Sequence, residues 1–431
     1  MKRKLHYALI LLLASGISAS GQITNKSILS GLETELITTE KKSDMLITPT
    51  GLNVFLQRKT LSYLTGVSDL SLAKFYASVS TENEKLNLGF NIPVKYDDNS
   101  LMLLINPVVE ADAKNSFSTL YKNDKWQGTI RAGLKLTYLL PFGTMNFLDG
   151  KKTNLDILRK TKYEEIASAY KAEDDKQNKP VTTLTGNVTL PVTEDLSARE
   201  LRKKQRDAYD AVGIAEADYI EKNKSYTWMQ TGWISAWGFT PVTEASKYIS
   251  PNYLTAFEAT RFRLWEINLQ YTHLFQNSRL GSFYLSPWIK RFQNNSANAD
   301  LMTNVDYGLY SQVPGTAQTN LALIETNPAF VGIYSEFMTT NFNFQLVYIT
   351  PFTNTLIKPG ISIRYEKNWG DYSPQNWRFG LPLAIQGKST PINIELQYRL
   401  NNVNNYKNEV DHSPKKTFGI SVGLPFSLLY K

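Results

Sequence analysis

The chain of 431 residues offers little to catalysis: it has three histidines and no cysteine. His6 lies in the basic-then-apolar start, which leaves His273 and His412 as the only imidazoles of a mature protein. A serine hydrolase needs its hydroxyl within hydrogen-bond reach of a histidine on the same face. His273 shares parity with Tyr271 and Phe275, whereas Ser282 and Ser286 on the next run fall on the other face. His412 sits in the polar stretch 402–416, where simple solvation accounts for it. No metal-ligand spacing and no phosphate-cradling glycine loop is present. The expectation is therefore no enzyme, no metal and no cofactor.

The charged residues at alternate positions say more. Arg131, Lys135, Glu266, Lys290, Lys358, Arg364, Glu366, Arg378, Glu395 and Arg399 each stand opposite in parity to a run of apolar neighbours. If these positions line a lumen, the ions must pair or meet water, because an unpaired charge in low dielectric costs several kcal/mol. Two arrangements satisfy that requirement: a paired network that fills the interior, or a wet pathway that prefers anions. The formal net charge is +8. Its carriers are scattered, with no aromatic-basic ladder suited to nucleic acid. A solvated basic surface explains it most simply; attraction of anionic solutes or lipid headgroups is the alternative.

Such a constellation needs strands to hold it. Between Leu356 and Asn401 the alternation is nearly unbroken. Ile357, Ile361, Ile363 and Tyr365 take one side; Trp377, Phe379, Leu381, Leu383 and Ile385 follow, and then Ile392, Ile394, Leu396, Tyr398 and Leu400. Period two means a strand whose faces meet different surroundings, and runs of about ten residues suit a tilted membrane-spanning strand. Further runs are expected at 72–80, 86–95, 101–110, 126–140, 226–240, 259–275, 283–290, 330–338, 342–350 and 417–427. These make thirteen, and a single-chain barrel with both ends on one side needs an even number. The fourteenth would be either Met145–Leu148 or Thr303–Ser311; the first choice makes Pro141–Thr144 a periplasmic turn and puts the central insertion outside the cell, the second makes Gln276–Arg279 a short periplasmic turn and puts the insertion in the periplasm.

Composition agrees with such a barrel. Aromatics make up 12% of the chain, including 24 Tyr and 8 Trp, yet mean hydropathy is only −0.30, because inward polar positions dilute the lipid-facing ones. Residues 1–21 read as a signal peptide: Lys2, Arg3 and Lys4, an apolar run Leu9–Leu13, and small residues Ser18 to Gly21. No run is long and apolar enough for a transmembrane helix. Residues 22–70 read as a periplasmic lead-in or an inward-folding plug, and 71–431 as the barrel. The segment 150–225 breaks the alternation with two helical pieces, near 155–171 and 198–220. Ser197 and Glu200 match a capping box. Leu201, Ala208, Val212, Ala215 and Tyr219 form an apolar stripe at helical spacing. The stripe either packs on the protein itself or docks a partner, with Leu201, Ala208, Val212 and Tyr219 as the docking candidates.

Export signal, alternating runs and a closing strand with Phe418, Ile420, Val422, Leu424 and Phe426 on one face make the chain resemble the bacterial outer-membrane β-barrel class over residues 72–431. That resemblance implies an all-β antiparallel transmembrane barrel of about 14 strands, carrying a mainly helical insertion, in the outer membrane of a Gram-negative bacterium. Fourteen strands with an N-terminal segment also look like the long-chain fatty acid transporter group. The tripeptide Asn327-Pro328-Ala329 is reminiscent of that group, although there it would stand near the N-terminus. The function expected is a channel or transporter for a small, polar or anionic solute, in contact with outer-membrane lipid. The alternative is a structural or assembly component that binds a protein partner through 198–220.

Overall fold

The computed structural model describes residues 24–41, 47–61, 63, 66–81, 85–95, 101–112, 121–122, 125–126, 130–140, 144–148, 151–177, 198–242, 245–299, 301–312, 321–351, 356–385, 391–406 and 415–429. The signal peptide, His412 and Ser197 lie outside them. The chain divides into two units: one drawn from Met1–Phe55 and Leu148–Ser225, the other from Leu56–Phe147 and Tyr226–Tyr430.

The second unit is a barrel. Its strands are β1 Ala73–Ser80, β2 Lys85–Phe90, β3 Ile92–Lys95, β4 Leu101–Asp112, β5 Tyr121–Lys122, β6 Lys125–Trp126, β7 Ile130–Leu139, β8 Thr144–Phe147, β9 Tyr226–Pro241, β10 Ala245–Ser250, β11 Glu258–Phe262, β12 Glu266–Asn277, β13 Gly281–Asn295, β14 Thr303–Gln312, β15 Leu321–Val331, β16 Glu336–Ile349, β17 Ile357–Trp369, β18 Gln375–Ile385, β19 Ile392–Asn401 and β20 Lys415–Leu428. Fourteen of them form one sheet. The circuit runs β1-β2-β4-β7-β9-β12-β13-β16-β17-β18-β19-β20 and returns to β1 through antiparallel pairing of Ala73 with Leu428 and Ser80 with Ser421. β3 prolongs β2 along β4, and β8 prolongs β7 along β9. Twelve wall positions thus carry fourteen strands, and closure leaves no sheet edge to be satisfied in lipid.

Three expectations are corrected here. The run 259–275 is not one strand: it divides between β11 of a loop sheet and β12 of the wall. The run Phe330–Met338 is not a wall strand: Phe330 ends β15, Gly332 turns at φ +138°, and the wall resumes at Glu336 in one strand that continues to Ile349. Thirteen runs therefore become twelve, and neither weak piece has to supply a fourteenth wall position. Thr303–Gln312 is a strand, but it belongs to a separate four-stranded sheet, β11-β10-β15-β14, built from the loops. Met145 lies in the prolongation of β7.

The faces of the wall are inverted relative to a water-soluble protein. On β12, Glu266, Asn268, Gln270, Thr272 and Gln276 are buried, whereas Ile267 is 60% and Leu269 57% exposed. Phe75, Leu88, Val109, Leu134, Ile289, Phe344, Ile361, Phe379, Leu396 and Phe418 continue the exposed apolar belt around the circuit. Burying one Leu or Ile is worth about 1.5–3 kcal/mol, so a whole belt held outward requires an apolar surround. Aromatic rings band both ends of it. Trp228, Phe275, Phe283 and Tyr348 neighbour one another near the Asn277–Gly281 turn; Tyr365, Trp377, Phe379, Tyr398 and Phe418 do so toward the other end.

The ends are distinguishable by their connections. Ala73 and Leu428 share an end with the tight turn at Gly281 (φ +103°). The segments 242–265 and 296–335, which carry the loop sheet, leave from the opposite end. Short turns mark the periplasmic side of outer-membrane barrels. Phe147 and Tyr226, which bracket the helical insertion, pair with each other at the short-turn end.

From Leu56 onward the chain runs inside the circuit before it enters β1. Leu61, Tyr63, Val67 and Leu70 are buried. The Lys59 carbonyl accepts from Tyr284 on β13 at 2.8 Å, Leu61 from Asn393 on β19 at 2.9 Å, and the Tyr63 hydroxyl from Gln345 on β16 at 2.5 Å. Lys135 on β7 donates to the carbonyls of Val67 (2.7 Å), Ser68 (3.2 Å) and Asp69 (2.8 Å). The described residues among 56–72 are thus held from strands on opposite sides of the ring and form an inner segment, the plug.

The first unit is helical: α1 Asn25–Lys41, the start of α2 (Pro49–Thr60), α3 Lys151–Gln177 and α4 Ala198–Lys222. Ile28 packs with Tyr170 and Ala208, and Leu32 with Tyr209 and Val212. The Glu216 carboxylate, fully buried, accepts from Arg159 and from the Thr48 hydroxyl that precedes α2.

Candidate functional site: a vestibule in the lumen

All ten lumen candidates fall on the inner face of the wall or beside it. Seven of them, Arg131, Glu266, Lys290, Arg364, Glu366, Arg378 and Arg399, line one cavity of about 750 Å³. Lys135 is engaged with the plug, Lys358 is half-buried toward the short-turn end, and Glu395 is buried, accepting from Ser362 and from Gln397 at 2.7 Å. The cavity reaches Asn304 and Phe330 of the loop sheet, and its floor includes Gly66, Val67 and Ser68. Below that floor lie voids of about 20 and 10 Å³ between the plug and the wall. Among the described residues the lumen is a vestibule that ends on the plug.

Its ions form two networks. In the first, Arg131 donates to Glu110 and to Glu266 (3.2 Å), Lys290 reaches Glu266 at 2.9 Å, and Lys85 reaches Glu110 at 3.0 Å. In the second, Glu366 accepts from Arg399 at 2.7 Å, lies 3.6 Å from Arg364 and takes the Asn376 amide, while Arg364 donates to Gln345 at 2.9 Å. Pairing offsets the desolvation of ions placed beside low-dielectric walls. The pairing is not one for one: seven basic and three acidic side chains line the cavity.

A second surface is apolar. Trp237, Phe239 and Trp288 cluster with Val67 of the plug and Val108 of β4. Arg364 lies 4.6 Å over the Trp288 ring and Arg131 5.4 Å over Phe239, close enough for cation–π attraction. The barrel therefore has a wet, basic interior with aromatic patches, enclosed by an apolar exterior.

That combination decides the class. The chain is a transmembrane β-barrel of the outer-membrane type. No protein-family model matches it, and no curated protein is significantly similar in sequence. Among solved structures it is similar to the β domain of the Bordetella autotransporter BrkA (TM-score 0.31, 6% identity, covering 81% of this chain and 97% of that one). It is also similar to the NanC porin (0.28, 6%, 82% and 98%) and to OmpT of Vibrio cholerae (0.24, 8%, 84% and 98%). At such TM-scores the likeness carries no weight, and the assignment rests on the closed circuit and its inverted faces.

The other candidates of the barrel and insertion are placed as follows. His273 is half-buried beside the Tyr271 hydroxyl, 3.1 Å away, while Ser282 and Ser286 are buried on the inner face. Ala208 and Val212 are buried within the helical unit, and Leu201 and Tyr219 are half-buried. The first two docking candidates are thus covered by α1 and α3, because the apolar stripe closes the helices' own core. Glu110 and Lys85 were missed by parity reasoning. On β4 the inward positions are Leu104, Asn106, Val108 and Glu110; two apolar residues on that face hide the alternation. They are apolar because the plug covers them, Val67 lying against Val108.

Proposed function

We propose that the barrel is a non-catalytic outer-membrane transporter for a small polar or anionic solute, entered from the long-loop end and held shut by the plug in this conformation. The observation that carries it is the vestibule: about 750 Å³ of charged, solvent-reaching space that stops at Gly66–Ser68. That volume lies in the range of small-molecule sites. A barrel of twelve wall strands is wider than side chains alone can fill, and a permanently open pore needs no floor. Lys135 gives the floor a discrete attachment that a conformational change can break. The test is conductance in planar bilayers. The native chain should be quiet, and a variant with residues 62–68 replaced by a short Gly-Ser linker should conduct at least tenfold more. Silence of both, in protein shown to be folded and inserted, would overturn the proposal.

A further inference from the structure

The inner face of β17, β18 and β19 carries three arginines at one level. Arg364 is the register partner of Arg378, and Arg378 is the register partner of Arg399. Like charges directly opposite one another on adjacent strands repel, so such a row is costly unless anions stand before it. The wall supplies two: Glu366, which accepts from Arg399 and faces Arg364, and Glu395, which accepts from Ser362 and Gln397. All three arginines line the vestibule, and the buried Nε atoms of the three, with Nη2 of Arg378, donate no hydrogen bond among the described residues. In the circuit, β19 stands six places from β9, which carries Trp237 and Phe239. The aromatic patch therefore faces the arginine row across the lumen, and Trp288, in contact with the Arg364 guanidinium, joins the two.

From this juxtaposition we infer that the vestibule is a binding site for an amphipathic anion, a carboxylate borne on a flat apolar ring. The arginine row takes the carboxylate, and the Trp288–Trp237–Phe239 surface takes the ring. Guanidinium is the side chain suited to bidentate recognition of a planar oxyanion, and an indole face beside it gives a ring area to cover without obliging it to hydrogen-bond. Neither half specifies the ligand alone. A simple anion leaves the aromatic surface uncovered, and a neutral ring leaves the charge of the row unanswered.

The inference rests on the transport reading for its purpose but not for its test. Purified full-length protein in detergent is titrated with benzoate, acetate and benzyl alcohol, and binding is followed by calorimetry. Benzoate should bind saturably, with acetate and benzyl alcohol at least tenfold weaker. Arg378→Gln should lose at least tenfold in benzoate affinity and Arg378→Lys less, with heat-modifiable gel mobility confirming that both variants are folded. Phe239→Leu, which removes part of the aromatic surface and whose ring lies against Arg131 rather than the row, should weaken benzoate and leave acetate unchanged. Benzyl alcohol binding as tightly as benzoate, or Arg378→Gln folding and binding benzoate normally, overturns the site. If the linker variant of the plug conducts but no benzoate binds, transport stands and this site falls; if benzoate binds as described while that variant stays silent, the site stands and transport falls.

Discussion

Lys135 shows how one inward charge can report on the state of the lumen. Its ammonium is surrounded by three plug carbonyls and lies 5.5 Å from the Trp237 ring, so its partners are backbone groups of residues 67–69 rather than a carboxylate on the wall. Each hydrogen bond to a charged group is worth about 1.5–3 kcal/mol. Lys135→Met should weaken plug docking by a few of those units without touching the wall, and brief channel openings should appear in bilayers where the native chain is quiet. Arg159 makes the parallel case in the helical unit, where it neutralises the buried Glu216. Arg159→Met strands that carboxylate and should cost about 3–5 kcal/mol, read as loss of helical circular dichroism at lower denaturant while the barrel stays folded. Gly51→Ala should act in the same direction, since a methyl there would collide with the Glu216 carboxylate and with Ile47. At this scale parity found the ions of β12, β13, β17, β18 and β19 because those strands alternate cleanly. It missed Glu110, whose strand mixes Leu104 and Val108 into the inner face, and it gave no partners, because pairing depends on register between strands far apart in sequence.

Among the elements, most wall strands were legible within a few residues, and the exceptions are two runs, 259–275 and 330–338, each divided between the loop sheet and the wall. Phe330–Met338 has the composition of a wall strand, yet it is split by Gly332 between a loop sheet and the wall. Alternation reports that two faces differ, not which sheet a strand joins. Asn294 and Asn295 end β13, and Ser296 receives the chain again through its bonds with Ser335, so the excursion 297–334 leaves and returns at one point. Deleting residues 298–333 with a short linker should therefore leave the circuit closed: heat-modifiable mobility should persist and the melting temperature of the wall should be nearly unchanged. Loss of the folded band would mean that β14 and β15 support the wall. The helices were legible as helices, but the stripe alone left packing and docking open for Ala208 and Val212, because the residues that cover them come from α3 and from α1, a region with no useful repeat.

For the whole molecule, the account stands on an inside-out wall around a plugged, basic vestibule. The even count of wall strands, the two aromatic bands and the tight turn at Gly281 all follow from spanning a bilayer; the plug follows from a circuit too wide for its own side chains to fill. What the sequence left open was whether residues 22–70 lead in or fold inward as a plug, since a plug segment has no periodicity of its own and its trace is left on the wall, in inward apolar positions such as Val108.

The absence of cysteine permits a direct test of the inverted wall. Single cysteines at Ile267, Leu269, Ile361 and Ile363, and at the intervening Asn268 and Ser362, can be labelled with an environment-sensitive dye after insertion into liposomes that contain lipid-borne quenchers. The dye at the four apolar positions should be quenched by lipid, and at Asn268 and Ser362 it should not. Equal quenching at adjacent positions, or lipid contact at the polar ones, would contradict the structure of the wall and with it everything placed inside.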